Sequence, residues 1–160
     1  MTSRRARLAT LGLGLATALA LGVTGPAAAE QQRFAVVEPT VIPDENNPGC
    51  EDVQNGFVGE IDVAPQDDTD IPVTSEDGTL TGTLDVDFSD DLLTLENFNF
   101  DGELVAGAVI VKGGNAGNLY DYRPLGGIAE DDDLIAPTNE GGQQPQISHV
   151  TFCFLPADGS

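Results

Sequence analysis

The stretch Gln146-Ile-Ser-His-Val-Thr-Phe-Cys-Phe154 decides the fold that we predict for this chain. Its side chains form two alternating sets that face opposite ways, as in a β-strand. The stretch contains Cys153, and the second of the two cysteines, Cys50, lies about a hundred residues upstream. A disulfide between them would tie the closing strand to the start of the domain and enclose nearly everything between.

An export signal occupies the N-terminus, residues 1–29. Arg4, Arg5 and Arg7 form a positive region, an apolar run follows, and Ala27-Ala28-Ala29 offers a small-residue cleavage site before Glu30. We therefore predict a secreted, extracellular protein with no membrane insertion after signal removal; the Sec and twin-arginine routes both stay open. An oxidising compartment favours a Cys50–Cys153 disulfide over a reactive or metal-binding thiol.

The charge of the mature chain narrows the range of partners. Three basic residues, Arg33, Lys112 and Arg123, remain against all 27 acidic residues, which gives a formal charge of −24. Such a surface repels nucleic acid and anionic lipid, because both carry the same sign. It favours cations, cationic partners, or simple solubility.

Short strands separated by turn signals predict an all-β fold, an antiparallel β-sandwich of about seven to nine strands with one disulfide. Residues 80–88 alternate between apolar and polar side chains, whereas residues 104–111 are apolar on both faces and predict a central strand. A change of phase near Glu96-Asn97 predicts a bulge or a break. A long, irregular loop over residues 123–145, with a helix-like turn near residues 130–134, precedes the last strand.

The predicted domain boundaries follow from this pattern. After the signal peptide comes a polar N-terminal arm, residues 30–49, in which residues 33–42 form either an edge strand or an ordered arm. The β-sandwich domain covers residues 50–156, and residues 157–160 form a tail. The length suits one domain, and we expect a monomer.

Several stretches resemble a pattern found in bacterial secreted and cell-surface proteins. Residues 108–114 end in Val-Lys-Gly-Gly, residues 118–122 contain a Tyr-x-Tyr strand, residues 134–139 read Leu-x-x-Pro-x-Asn, and residues 148–153 read Ser-His-x-x-Phe-Cys. The family is an uncharacterised β-sandwich module, and the resemblance covers roughly residues 50–154. It implies a β-sandwich with no established enzymatic activity. For the matching positions outside the cysteines, the resemblance implies structural or loop roles, and we expect these for Lys112, Gly113, Gly114, Tyr120, Tyr122 and His149.

The single histidine, His149, follows Ser148 and invites comparison with a hydrolase. Neighbouring residues on a strand point to opposite faces, so we expect no nucleophile–base pair between them. No strained elbow motif surrounds another serine. A structural histidine that hydrogen-bonds a loop carbonyl is the preferred interpretation.

Acidic runs at residues 67–70 and 130–133 raise the question of calcium, which binds several hard oxygens. Neither run has the spacing of an EF-hand, so solvated charge is preferred and weak calcium binding stays open. The sequence predicts no other cofactor. It favours a non-catalytic envelope or extracellular interaction module with an unknown partner; a calcium-assisted adhesion domain is the alternative, and a secreted hydrolase ranks below both.

Overall fold

The computed structural model describes residues 35–43, 48–53 and 56–157, which belong to one unit of the chain. The predicted signal peptide and the end of the tail lie outside these ranges. A short helical turn, α1, covers Cys50–Val53, and a 3-10 turn covers Arg123–Leu125. The strands are β1 Thr40–Pro43, β2 Gly59–Val63, β3 Asp68–Thr74, β4 Thr81–Phe88, β5 Thr94–Gly102, β6 Leu104–Gly113, β7 Ala116–Asp121, β8 Glu130–Ile135 and β9 His149–Pro156.

The strands form two antiparallel sheets. Sheet A has the order β1-β7-β6-β9-β2, and sheet B has the order β3-β4-β5-β8. Side chains from both sheets form one buried core, in which Phe98 of β5 lies 5.3 Å from Phe152 of β9 and Phe100 lies 5.6 Å from Phe154, ring centre to ring centre. These edge-to-face ring pairs are a favourable aromatic geometry. The predicted all-β sandwich is confirmed.

The central strand of sheet A is β6, as its apolar sequence predicts. It pairs with β7 on one side and β9 on the other, and all but one of its residues are buried. Val109 and Val111 face the core between the sheets, while Ala108 packs with the two cysteines on the outer face. A strand covered on both faces has no polar side to present, which explains the unbroken apolar run.

The change of phase in β5 is a bulge at Glu96. Asp87 pairs with Asn97 and Phe88 pairs with Leu95, so Glu96 is the extra residue and points to solvent. The insertion lets apolar residues of opposite sequence parity face the same core. The predicted bulge is confirmed.

The helix-like turn that the sequence suggested near residues 130–134 is wrong. Residues 130–135 form strand β8, which pairs antiparallel with β5 at the edge of sheet B. Three consecutive aspartates have low intrinsic β propensity, and contacts made by distant residues outweigh it here. The irregular loop over 123–145 is therefore interrupted by a strand, and the segment from 136 to 148 leads into β9.

The N-terminal arm contributes a strand to the sandwich. Of the two alternatives for residues 33–42, the edge strand is observed at Thr40–Pro43, where β1 pairs with β7. The sandwich therefore begins inside the region that the sequence assigned to the arm.

The Cys50–Cys153 disulfide is confirmed. The Cα atoms are 5.7 Å apart, and the bond joins residues 103 positions apart in sequence. Both cysteines are buried, at 6% and 0% exposure, and they pack with Ala108, Phe57 and Leu119. Strands β2 to β8 and the part of β9 up to Cys153 lie inside the ring that this bond closes. Among the described helices, none has the length and apolar character needed to cross a bilayer.

Removing the disulfide tests how much the covalent ring stabilises the fold. For the double variant Cys50→Ala and Cys153→Ala, we expect the free energy of unfolding to fall by about 4–5 kcal/mol, because the unfolded chain regains the entropy of an open loop. Urea denaturation followed by circular dichroism measures the change, and the wild type unfolded with a thiol reductant is the control. An unchanged urea midpoint would contradict the prediction.

Candidate functional site

Lys112 lies in the interior of the fold. It is 1% exposed and sits near the end of β6, between Gly117 of β7 and His149 of β9. Gly113 follows it, where an added Cβ would come within 2.7 Å of the Gln146 carbonyl oxygen. Gly114 turns the chain with a φ of 65°. These three positions shape the β6–β7 turn, and the ammonium group of Lys112 is not presented to a partner in solution.

Ser148 and His149 lie closer together than the sequence argument allowed. Ser148 Oγ is 3.3 Å from His149 Nδ1, so the expectation that the two side chains point apart is wrong. The reason is that β9 begins at His149, and Ser148 precedes the regular pleat. The same hydroxyl lies 3.2 Å from the carbonyl oxygen of Lys112, and the Ser148 N–H donates to that oxygen at 2.7 Å. These contacts fasten the start of β9 to β6.

Tyr120 of β7 and Tyr122, which directly follows β7, bridge to the other sheet. The Tyr120 hydroxyl donates to the Ile135 carbonyl oxygen at 3.1 Å and accepts from the Ile135 N–H at 2.9 Å. Asn118 Nδ2 donates to the same carbonyl at 2.9 Å. The Tyr122 hydroxyl donates to Asp131 Oδ2 at 2.7 Å. We call these five residues the polar seam, because they join β7 of sheet A to β8 of sheet B.

Asp131 is the charged member of the polar seam. It is 6% exposed, and besides the Tyr122 hydroxyl it accepts the N–H groups of Val36 and Asp132 at 3.0 and 2.9 Å. A buried carboxylate needs such donors, because an unpaired one would carry the full cost of desolvation. Burial raises the pKa of both Tyr120 and Tyr122 above 10.0, and the hydrogen bond to Asp131 raises that of Tyr122 further.

A cavity of about 250 Å³ opens beside the disulfide. The Cys50 N–H donates to Glu60 Oε2 at 3.0 Å and so fixes one of the carboxylates that line the cavity. The guanidinium of Arg123 lies 5.2 Å from the centre of the Phe57 ring and also hydrogen-bonds Asp121, which lowers the pKa of that carboxyl. The cavity is lined by Cys50, Glu51, Gly56, Phe57, Gly59, Glu60 and Glu76.

The acidic runs considered for calcium belong to sheet B. Asp67 accepts the Phe88 N–H at 2.7 Å, and the Asp70 N–H donates to Asp85 at 2.7 Å, so these carboxylates shape the irregular start of β3. The second run forms β8. Within the ranges that the structure describes, no three His, Cys, Asp or Glu side chains converge in a way that could hold a metal ion.

The outer face of sheet B carries a regular array of acids and amides. One row across the strands is Asp85, Asn99 and Glu130, and the next is Asp87, Asn97 and Asp132. All are exposed or half-buried. We call this array, together with Asp101, the acid–amide face. It consists of Asp85, Asp87, Asn97, Asn99, Asp101, Glu130 and Asp132.

The asparagines separate the carboxylates within each row. Asn99 lies between Asp85 and Glu130, so these acids are two strand spacings apart, roughly 10 Å. Like charges directly opposite each other would destabilise the sheet, and this spacing avoids them. In the described part of the chain the basic residues are Lys112, buried in sheet A, and Arg123, paired with Asp121. Neither belongs to the acid–amide face.

Comparison with known proteins adds no relative. No protein family model, no curated protein and no solved structure matches this chain. We therefore infer a function from the geometry and charge of the chain itself.

Because the pKa of Tyr122 is raised in the polar seam, we predict that the protein becomes less stable at alkaline pH. Folded Tyr122 holds its proton to a higher pH than unfolded tyrosine does, so the free energy of unfolding should fall as pH rises above about 10. Tyr122→Phe should make this fall less steep. At neutral pH the variant should also lose about 1–3 kcal/mol, because Asp131 loses a donor.

Urea denaturation between pH 8 and pH 11 measures both effects. The chain has two tyrosines and no tryptophan, so tyrosinate absorbance reports only on residues of the seam. That absorbance should appear together with unfolding. Ionised tyrosine in a protein with native circular dichroism would refute this account of the seam.

Proposed function

We propose that the chain is a secreted, non-catalytic interaction module that binds a cationic partner through the acid–amide face. One observation carries the proposal: the outer surface of sheet B displays acids and amides in register across three strands, without a basic side chain from the described residues. An antiparallel sheet needs only one apolar face to pack against the core, so the side chains on its other face are available to bind a partner.

Electrostatics explains what such a surface can do. Several carboxylates fixed on a rigid sheet create a negative potential that attracts and orients a positively charged partner. Each exposed charge pair contributes little by itself, about 0.2–1 kcal/mol, so binding would come from several rows together. The same field repels nucleic acid and anionic membranes.

The proposed location outside the cell is supported by two features. The first 29 residues have the composition of an export signal. The disulfide between Cys50 and Cys153 is of the kind that persists in oxidising compartments. Partners would therefore be extracellular or envelope components.

Calcium-assisted adhesion is the second candidate. In the rows of the acid–amide face, Asn97 and Asn99 are cross-strand neighbours of acidic residues, and amide and carboxylate oxygens are both ligands of the kind that calcium takes. Thermal melting with and without millimolar calcium checks this alternative, and an unchanged melting temperature removes it.

Binding should depend on the acid–amide face. We expect the isosteric double variant Asp87→Asn and Asp101→Asn, at two exposed positions of the face, to bind cationic envelope or secreted components at least roughly fivefold more weakly than the wild type, because two exposed ion pairs are lost. Pull-down with the immobilised mature domain, followed by titration of the captured components at two salt concentrations, measures the effect. Higher salt should weaken wild-type binding more than variant binding.

The matched control is the double variant Asp90→Asn and Glu140→Gln. It changes the net charge by the same amount at exposed positions outside the face. Equal weakening by both double variants would show that net charge alone, and not this face, governs binding. Capture that neither variant affects would remove the proposal.

A further inference from the structure

Asn97 and Asn99 occupy the centre of the acid–amide face. They lie on β5, which runs between β4 and β8, and Asp101 continues the same column of side chains along the strand. Their cross-strand neighbours on β4 are Asp87 for Asn97 and Asp85 for Asn99. The face is therefore a central column of amides with carboxylates beside it.

The two amides do not fasten any described part of the fold. Other side-chain amides do: Asn118 donates to a carbonyl oxygen of β8, and Gln144 and Gln146 donate to carbonyl oxygens of the β4–β5 turn. The side chains of Asn97 and Asn99, by contrast, make no hydrogen bond to another described residue. Both amides therefore keep their donors and acceptors for groups outside the chain.

Separation of the carboxylates does not by itself account for the two asparagines. A β-branched residue such as valine would keep the acids of β4 and β8 equally far apart, and it favours a strand whereas asparagine does not. A residue that breaks a local preference without a gain in stability is expected at a functional site. Asparagine adds what valine lacks, a donor and an acceptor side by side, and these match the two polar groups of a peptide bond.

The spacing of the face matches an extended chain. Successive rows lie two residues apart along the strands, roughly 6.4–6.8 Å, and alternate side chains of an extended peptide repeat at the same distance. Exposed carboxylates at Asp87, Glu130 and Asp101 belong to three successive rows. A basic residue at every second position would meet one row after another. An extended peptide also leaves its backbone N–H and C=O groups open, whereas a helix uses them internally.

We propose that the partner of the acid–amide face is an extended basic peptide, with lysine or arginine at alternating positions, that runs along β5. The side-chain amides of Asn97 and Asn99 hydrogen-bond its backbone, and the carboxylates of successive rows bind its basic side chains. This inference rests on the proposed function and adds the class and the conformation of the partner.

Two capped peptides of the same composition test the mode of binding. Each carries three lysines among threonines; the lysines alternate with threonine in one peptide and are adjacent in the other. Adjacent lysines on an extended chain turn at least one of the three away from the face, so we expect the alternating peptide to bind at least roughly threefold more tightly. NMR titration of the mature chain, residues 30–160, measures both affinities, and the backbone resonances of β4, β5 and β8 report where the peptides bind.

The double variant Asn97→Val and Asn99→Val tests the amides without changing the net charge. It should bind the alternating peptide at least roughly fivefold more weakly, because two hydrogen bonds are lost. Urea denaturation should show no loss of stability, because valine favours a strand. Equal binding of the two peptides by the wild type, or unchanged binding of the alternating peptide by the variant, would overturn the inference.

A linear polyamine separates this inference from the proposed function, because it carries charge but no peptide groups. We expect it to bind more weakly than the alternating peptide and to bind the wild type and the valine variant equally. If the polyamine and both peptides bind with equal affinity, the face recognises charge alone, so the inference fails and the proposed function stands. If none of the three shifts a resonance of the face, the proposed function fails as well.

Discussion

The bond between Cys50 and Cys153 is the constraint on which the rest of the structure depends. It fixes the start of the sandwich to β9, the strand that pairs with both β2 and β6. A domain of this size gains a large fraction of its net stability from closing so long a loop. With that ring closed, a five-stranded and a four-stranded layer pack around the phenylalanines of β5 and β9, and the described residues contribute no long helix.

The polar seam joins the two sheets at the side of the sandwich where β7 lies near the edge strand β8. A strand at the edge of a sheet exposes unpaired backbone groups, and β8 is such a strand. Hydroxyl and amide groups from β7 supply partners to Ile135, and Tyr122 does so for the Asp131 carboxylate. Two sheets that share no backbone ladder at this edge are thereby joined through side chains. The Asp131 carboxylate also accepts the Val36 N–H of the arm, so this residue of β8 is bonded both to the arm and to Tyr122 after β7.

Much of this architecture could be predicted from the sequence, because it is written in local patterns. The apolar run of β6, the extra residue at Glu96 and the pairing of the two cysteines each leave a signal within a short stretch or a simple count. Strand β8 leaves none, since Glu-Asp-Asp-Asp is a poor strand sequence and its pairing depends on residues far away. The contact between Ser148 and His149 was missed for another reason: the alternation rule applies only inside the pleat.

The acid–amide face could likewise be predicted from the sequence only in part. The alternation in residues 80–88 already indicated that Asp85 and Asp87 face water. The partners that complete their rows, Asn97, Asn99 and the acids of β8, are set by register between strands, which composition does not reveal. Lys112 shows the opposite case, because a lysine at the end of an apolar strand suggests exposure and the fold buries it. Burial of such a group depends on what covers the sheet, and that is a property of the whole chain.

The placement of the disulfide has a mechanical consequence. Chain leaving toward the N-terminus departs from Cys50, and chain leaving toward the C-terminus departs within a few residues of Cys153. A tensile load applied to the two ends therefore passes from one cysteine to the other through the S–S bond. The hydrogen bonds of β2 through β8 carry almost none of it, and only β1 and the last residues of β9 can be peeled away. Under shear or tethering the domain behaves as a nearly inextensible link.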